Sequence, residues 1–153
     1  MLAALEALVK LESPTEDLQA CQDVIKLASD IATKVLGTPA EIRDVNGRPV
    51  FWWGANNPEV VVLAHLDTVW PKGSFTPLWK VEGTKATGPG IFDMKAGFIQ
   101  ALYAMKGITG SAALVATTDE ETGSATSREF IKQISAQAKA VLVLEASLDG
   151  MVK

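Results

Sequence analysis

One histidine and a handful of carboxylates carry the chemistry open to this chain. His65 is the single histidine in 153 residues, and Asp67 follows two positions later. Residues i and i+2 of an extended chain point the same way. An Asp67 carboxylate can therefore hold the imidazole in one tautomer, leaving the other ring nitrogen free for a metal or a proton. Further along stand Asp93, the run Asp119-Glu120-Glu121, and Glu145. One imidazole with several carboxylates and only one thiol is a hard-to-borderline donor set. It suits zinc, manganese or cobalt better than an iron–sulfur cluster or copper.

Each residue also has a plainer reading. Asp93 can be a helix N-cap, Asp119-Glu120-Glu121 a solvated acidic turn, and Glu145 a surface carboxylate. His65 can be a satisfied structural histidine. What joins them is position, because each apolar run in this half of the chain ends in one of them. Val60 to Ala64 leads into His65, Ala112 to Ala116 into the acidic run, and Ala140 to Leu144 into Glu145. Short continuous apolar runs are what strands buried on both sheet faces look like. Open α/β sheets place their chemistry at the C-terminal ends of such strands. Asp93 stands where a long loop enters a helix and can come to the same edge.

The elements around these runs follow from local signals. Leu2, Leu5, Leu8, Val9 and Leu11 give a short amphipathic opening helix. Ser13-Pro14-Thr15-Glu16 reads as a capping box, with Ser13 as N-cap, opening a helix that Gly37 ends. On that reading the segment Leu11–Thr15 needs no functional explanation. Asn46-Gly47 turns a hairpin between strands at 41–45 and 50–53. Adjacent Trp52 and Trp53 face opposite sides, so at least one packs in the core. A long Pro-, Gly- and Lys-rich connection spans 70–90. A helix with its apolar face on Met94, Phe98, Ala101, Leu102 and Met105 follows. Thr126 and Glu129 suggest a second capping box. Strand, helix, strand, helix, strand in the second half predicts an α/β fold: three layers, with a largely parallel sheet and helices on both faces.

Composition narrows the classes. The chain is 48% hydrophobic and 21% charged, with a formal net charge of −4. It reads as a single globular domain over 1–153. No basic run offers itself to phosphates, so nucleic acid is not an expected partner. No apolar stretch approaches membrane-spanning length. The opening residues lack the pattern of a secretory signal, and Cys21 stands alone, so a cytoplasmic setting is expected. Cys21 itself reads as a small buried apolar residue. Dinucleotide, Walker, nucleophile-elbow and Cys-x-x-Cys motifs are absent from the sequence.

Taken together, four segments resemble the co-catalytic di-zinc metallopeptidases, the family of glutamate carboxypeptidases, aminoacylases, acetylornithine deacetylase and succinyl-diaminopimelate desuccinylase. They are His65-Leu66-Asp67-Thr68-Val69, Gly88-Pro89-Gly90-Ile91-Phe92-Asp93-Met94-Lys95, Asp119-Glu120-Glu121-Thr122-Gly123-Ser124 and Leu144-Glu145-Ala146. Leu11-Glu12-Ser13-Pro14-Thr15 is similar to the family's opening. The resemblance implies that His65 and Glu145 bind one zinc, Glu121 binds the other, and Asp93 bridges the two. It makes Asp67 the residue that orients His65, and Glu120 the general base.

Trp70-Pro71-Lys72-Gly73 and the Gly-Pro-Gly before Asp93 are more similar to the glutamate carboxypeptidases. The expected reaction is therefore release of a C-terminal amino acid, glutamate included. Deacylation of an N-acyl amino acid is the alternative within the family, and a non-catalytic metal-binding or interaction module the alternative outside it. Family members draw a second metal-binding histidine from a later part of the catalytic domain, and carry an inserted lid or dimerisation domain. The resemblance thus makes this chain the N-terminal portion of the catalytic domain, inactive alone, with an exposed sheet edge and a homodimeric parent.

Overall fold

The computed structural model describes residues 1–147. Helices α1 (Leu2–Lys10) and α2 (Leu18–Leu36) are followed by strands β1 (Glu41–Val45), β2 (Arg48–Gly54) and β3 (Val60–His65). The long connection is not structureless: it holds a small hairpin, β4 (Lys80–Glu82) and β5 (Lys85–Thr87). Helix α3 (Ala96–Ala104), strand β6 (Ala112–Thr117), helix α4 (Arg128–Ala136) and strand β7 (Ala140–Val143) come after it.

Five strands make one sheet in the order β1-β2-β6-β3-β7. β6, β3 and β7 are parallel, as the strand–helix alternation implies. The β1–β2 hairpin joins β6 antiparallel, so the sheet is mixed, and its parallel half carries the candidate site. Asn46 and Gly47 both have positive φ, 51° and 84°, as the tight hairpin turn that matches strand twist requires.

Alternation along the strands divides the core into two layers. Phe51, Val62, Ala64, Leu114 and Ala116 face α1, α2 and α3, with Phe51 edge-on to Phe98 at 5.1 Å between ring centroids. Val50, Trp52, Val61, Ala113 and Val115 face α4, where Phe130 and Ile134 cover them. Helices therefore lie on both faces of the sheet, completing three layers. Each large side chain buried this way contributes roughly 1.5–3 kcal/mol relative to exposure. Trp52 and Trp53 lie on opposite faces, and Trp53 Nε1 donates to Thr38 Oγ1 at 2.9 Å. Both tryptophans are packing residues.

Two capping assignments from the sequence are overturned. α2 begins at Leu18, capped by Asp17, whose carboxylate accepts from the Ala20 N–H at 2.9 Å. Ser13 is engaged elsewhere: its hydroxyl donates to the Leu66 carbonyl at 2.6 Å, and Pro14 bridges to Thr68 in parallel. α4 likewise does not open on a Thr126–Glu129 box. The Asp119 carboxylate, from the preceding loop, accepts from Thr126 N–H, Ser127 N–H and Ser127 Oγ. Among the described residues β1 and β7 are the edge strands, and β7, at the parallel end, leaves Leu142 and Val143 exposed.

Cys21 is fully buried, as expected, with its sulfur 3.7–3.9 Å from the carbonyl oxygens of Pro14, Thr15 and Thr118. Burial, helped by the charge of Asp67, pushes its pKa up to about 11. At pH 8 a thiol reagent should modify the folded chain about 100-fold or more slowly than the chain in urea, since the thiolate is the nucleophile. Comparable rates in the two states would contradict this burial.

Candidate metal centre

Strand register brings His65 and Glu145 together. His65 pairs with Thr117 across β3–β6, and Leu63 pairs with Val143 across β3–β7. The Leu144 N–H donates to the Leu63 carbonyl at 3.0 Å, so Glu145 leaves the sheet at the level of His65. Gly97 permits the close packing of α3 on this segment. A Cβ there would stand 2.8 Å from the Leu144 carbonyl oxygen.

Asp93 arrives by a different route. Gly90 has φ 68°, and a Cβ on it would meet Thr68 Cγ2 at 2.6 Å, so glycine is required twice over. A π-type turn over Ile91–Lys95 follows, in which Asp93 keeps an extended backbone (φ −120°, ψ 96°) and the Asp93–Met94 peptide is cis. The N-cap reading of Asp93 fails, because α3 starts at Ala96. The next two residues anchor the turn. Met94 is buried, and its sulfur accepts from the His65 N–H at 3.1 Å. Lys95 is 0% exposed, and its ammonium donates to the Leu8 and Leu11 carbonyls at 3.0 and 3.3 Å, capping the end of α1.

The imidazole is 1% exposed. Nδ1 lies 3.2 Å from the Asp67 carbonyl oxygen and 3.3 Å from Asp67 Oδ1, as the i, i+2 spacing predicts. Nε2 faces outward, 3.0 Å from Asp93 Oδ1, 3.5 Å from Glu145 Oε1 and 3.8 Å from Glu120 Oε2. Ligand atoms of His65, Asp93 and Glu145 lie within 4.8 Å of one another, a grouping that could hold a metal ion. Glu121 is outside that group. Its backbone N–H donates to Asp67 Oδ2 at 3.2 Å, and it lines a cavity of about 470 Å³ together with Asp93, Trp70, Phe75 and Phe92. Glu120 and Glu121 share a 3₁₀ turn, Glu120–Thr122, whereas the neighbouring Asp119 is structural. Thr15 was not among the sequence candidates. Its hydroxyl donates to Asp67 Oδ2 at 2.8 Å, and its only signal was the resemblance of Leu11–Thr15 to a family opening.

The electrostatics are those of a site crowded with negative charge. Burial alone would raise the Asp67 carboxyl, but His65, the Thr15 hydroxyl and the Glu121 N–H hold it below its ordinary range. The Glu121 carboxyl is raised by burial and by Asp93, Asp67 and Glu120; that of Glu145 is raised by burial and by Asp93 and Glu120. Burial, the largest influence on His65, opposes its cation, yet Asp67, Glu120 and Asp93 together push its pKa up to about 9. For Lys95, burial lowers the pKa to about 8.

These last two shifts have opposite signs for stability. With His65 at 6.5 unfolded and about 9 folded, the folded chain binds the extra proton between those values, and stability is lost as pH rises through that window. Lys95, at 10.5 unfolded and about 8 folded, contributes the opposite slope above pH 8 and offsets that loss. In chelator-treated protein, the unfolding free energy should fall between pH 6.5 and 8 by up to about 1.4 kcal/mol per pH unit, and level off towards pH 9. Urea titrations at the three pH values check this, and His65→Asn should abolish the fall. Stability rising between pH 6.5 and 8 would contradict the arrangement.

Comparison with known proteins bears on the family and the fold. The chain is 35% identical to carboxypeptidase G2 of Pseudomonas sp. (strain RS-16) over 105 residues, which are 63% of this chain and 25% of that protein. Its fold is similar to that of an M20 family metallo-carboxypeptidase, Sso-CP2 from Sulfolobus solfataricus, with a TM-score of 0.78 at 20% identity over 96% of this chain and 37% of that one. Human carnosine dipeptidase 1 gives a TM-score of 0.73 at 17% identity, covering 93% and 37%. The chain thus spans only a quarter to about two-fifths of the length of these relatives. The sequence model of peptidase family M20/M25/M40 matches residues 61–151, a stretch that includes His65, Asp67, Asp93, Glu120, Glu121 and Glu145, and the chain belongs to that family.

Proposed function

We propose that this chain forms part of a metal-dependent hydrolase of peptide or amide bonds, of the carboxypeptidase type, that releases a C-terminal amino acid, glutamate among the candidates. The observation that carries the reading is the convergence of His65, Asp93 and Glu145 ligand atoms within 4.8 Å. The donor chemistry fits a divalent ion such as zinc, cobalt or manganese. The raised carboxyls of Glu121 and Glu145 fit it as well, since a cation offsets the burial and the like-charge crowding that raise them. His65, Asp93 and Glu145 would hold one ion. Asp93 would be shared with a second, for which Glu121 is the further ligand. The release of a C-terminal residue is favoured by the likeness to proteins named as carboxypeptidases.

Ions held there supply Lewis-acid polarisation of a carbonyl and acidify water. The remaining work belongs to side chains of this chain. Asp67 engages Nδ1 of His65 and so presents the lone pair of Nε2 to the side where Asp93 and Glu145 stand. Glu120, half-exposed and 3.8 Å from Nε2, takes a proton from the attacking water and returns it to the departing amine nitrogen. The adjacent Glu121 carboxylate lines the cavity beside Asp93. That cavity, walled by Trp70, Phe75 and Phe92, is the place for the substrate.

Calorimetry and elemental analysis after chelation test the reading. About one tightly bound zinc per chain is expected, weakened by Asp93→Asn, Glu145→Gln or His65→Ala; zinc binding indifferent to all three would refute it. In a hydrolytically active form of the protein, Glu120→Gln should lower turnover by about 10²–10⁴-fold with metal content unchanged. An equal loss of metal would instead make Glu120 a ligand.

A further inference from the structure

We propose that Thr15 is a positioning residue for this centre: its hydroxyl fixes the Asp67 carboxylate, and through it the His65 imidazole. The inference deepens the metal reading and rests on it for its meaning. Asp67 is 0% exposed. Its Oδ2 receives the Thr15 hydroxyl at 2.8 Å and the more distant Glu121 N–H at 3.2 Å. Its Oδ1 has no hydrogen-bond partner of good geometry and faces His65 Nδ1 at 3.3 Å. Without the hydroxyl, one long bond from a turn and the 3.3 Å contact with the imidazole itself would be left to resist rotation of the carboxylate.

Thr15 is itself held from several sides. It is 3% exposed, and its N–H donates to the Thr68 carbonyl at 3.1 Å. Its own carbonyl accepts from Arg48 Nη1 at 2.7 Å, and the same nitrogen donates to the Thr118 carbonyl at 2.8 Å. Two residues earlier, Ser13 Oγ donates to the Leu66 carbonyl, and the Ser13 carbonyl accepts from the Thr68 N–H. The segment Ser13–Thr15 therefore straps the backbone on both sides of Asp67. Entry into α2 does not account for this, because Asp17 performs that capping. A hydroxyl at position 15 aimed at a buried carboxylate, on a segment bonded to residues 66 and 68, is a device for orientation.

Because His65 is the only histidine, a chain labelled with ¹⁵N-histidine gives one unambiguous Nδ1–H signal. In the metal-free protein, Thr15→Val and Thr15→Ala should shift that proton upfield and speed its exchange with water by about tenfold, while Thr15→Ser should restore it. Zinc affinity should fall about tenfold in the two hydroxyl-free variants, the lower end of what partners of a ligating histidine contribute, and recover in Thr15→Ser. A melting temperature that drops in Val and Ala with the Nδ1–H signal unmoved would overturn the proposal and leave Thr15 a packing residue. If neither variant folds, Thr15→Ser decides: an Nδ1–H shifted although the hydroxyl is kept overturns it equally. Absence of zinc binding in the wild-type chain, with Nδ1–H still responding to position 15, would remove the metal reading and leave the linkage standing.

Discussion

The carboxylate of Asp67 has no contact with solvent, and a charge so placed costs several kcal/mol unless it is paired and hydrogen-bonded. Three separate parts of the chain meet that requirement: the strand end through His65, the N-terminal strap through Thr15, and the acidic turn through the Glu121 N–H. Each partner is fixed by a different element, so the carboxylate is also the joint at which those elements are registered to one another. Displacing it would leave a buried charge short of partners, which is why the cost of misplacement is steep and the geometry well determined.

Around that joint the fold solves a second problem, the gathering of Asp93, Glu120, Glu121 and Glu145 about one imidazole. Like charges resist such an approach, and flexible loops would let them drift apart. Here the carboxylates are carried by features that leave little freedom. Glu145 follows a strand in parallel register with β3, and Asp93 directly precedes the buried Met94 and Lys95. Gly90 and Gly97 are small where any side chain would collide with Thr68 or Leu144. The energy that holds the group together comes from the core beneath the strand ends, and the carboxylates draw on it, as functional sites commonly do.

Most of the frame was legible because it is written in short-range signals. Apolar runs gave β3, β6 and β7, the Asn46-Gly47 turn gave the hairpin, and the i, i+2 spacing gave the contact of His65 with Asp67. The failures share a cause. Ser13 looked like a cap because a cap is a local pattern, but its hydroxyl is engaged by Leu66, 53 positions away. Asp119 looked like part of an acidic run because no spacing rule announces its bonds to the Thr126 and Ser127 N–H groups just before α4. Asp93, taken alone, reads as a helix cap before it reads as a ligand, but a π-type turn shifts the helix start to Ala96. Long-range hydrogen bonds by Ser, Thr and Asp have no period and no spacing rule, so pattern reading misses them. The antiparallel docking of β2 on β6 was hidden for the same reason: pairing between residues as far apart as Phe51 and Ala116 leaves no mark in either strand.

Where the cations went is as telling as where the anions gathered. Lys95 lies beneath the centre but gives its ammonium to the carbonyls at the end of α1. Arg48 is bound to the carbonyls of Thr15 and Thr118, and Lys72 to Asp17 at 2.6 Å. None of these interactions neutralises Asp93, Glu120 or Glu145. A structural salt-bridge network is satisfied by turning a lysine or arginine inward to such carboxylates. This chain instead bends Lys95 away from them, at a cost visible in its lowered pKa of about 8, and leaves the imidazole as the positive partner that they face. A proton on Nε2 can meet that demand, and so can a metal ion, but both use the same lone pair and must compete. Among the described residues, holding the other cations elsewhere keeps that nitrogen and its surrounding oxygens available to a guest, a disposition suited to binding an ion and poorly suited to mere stability.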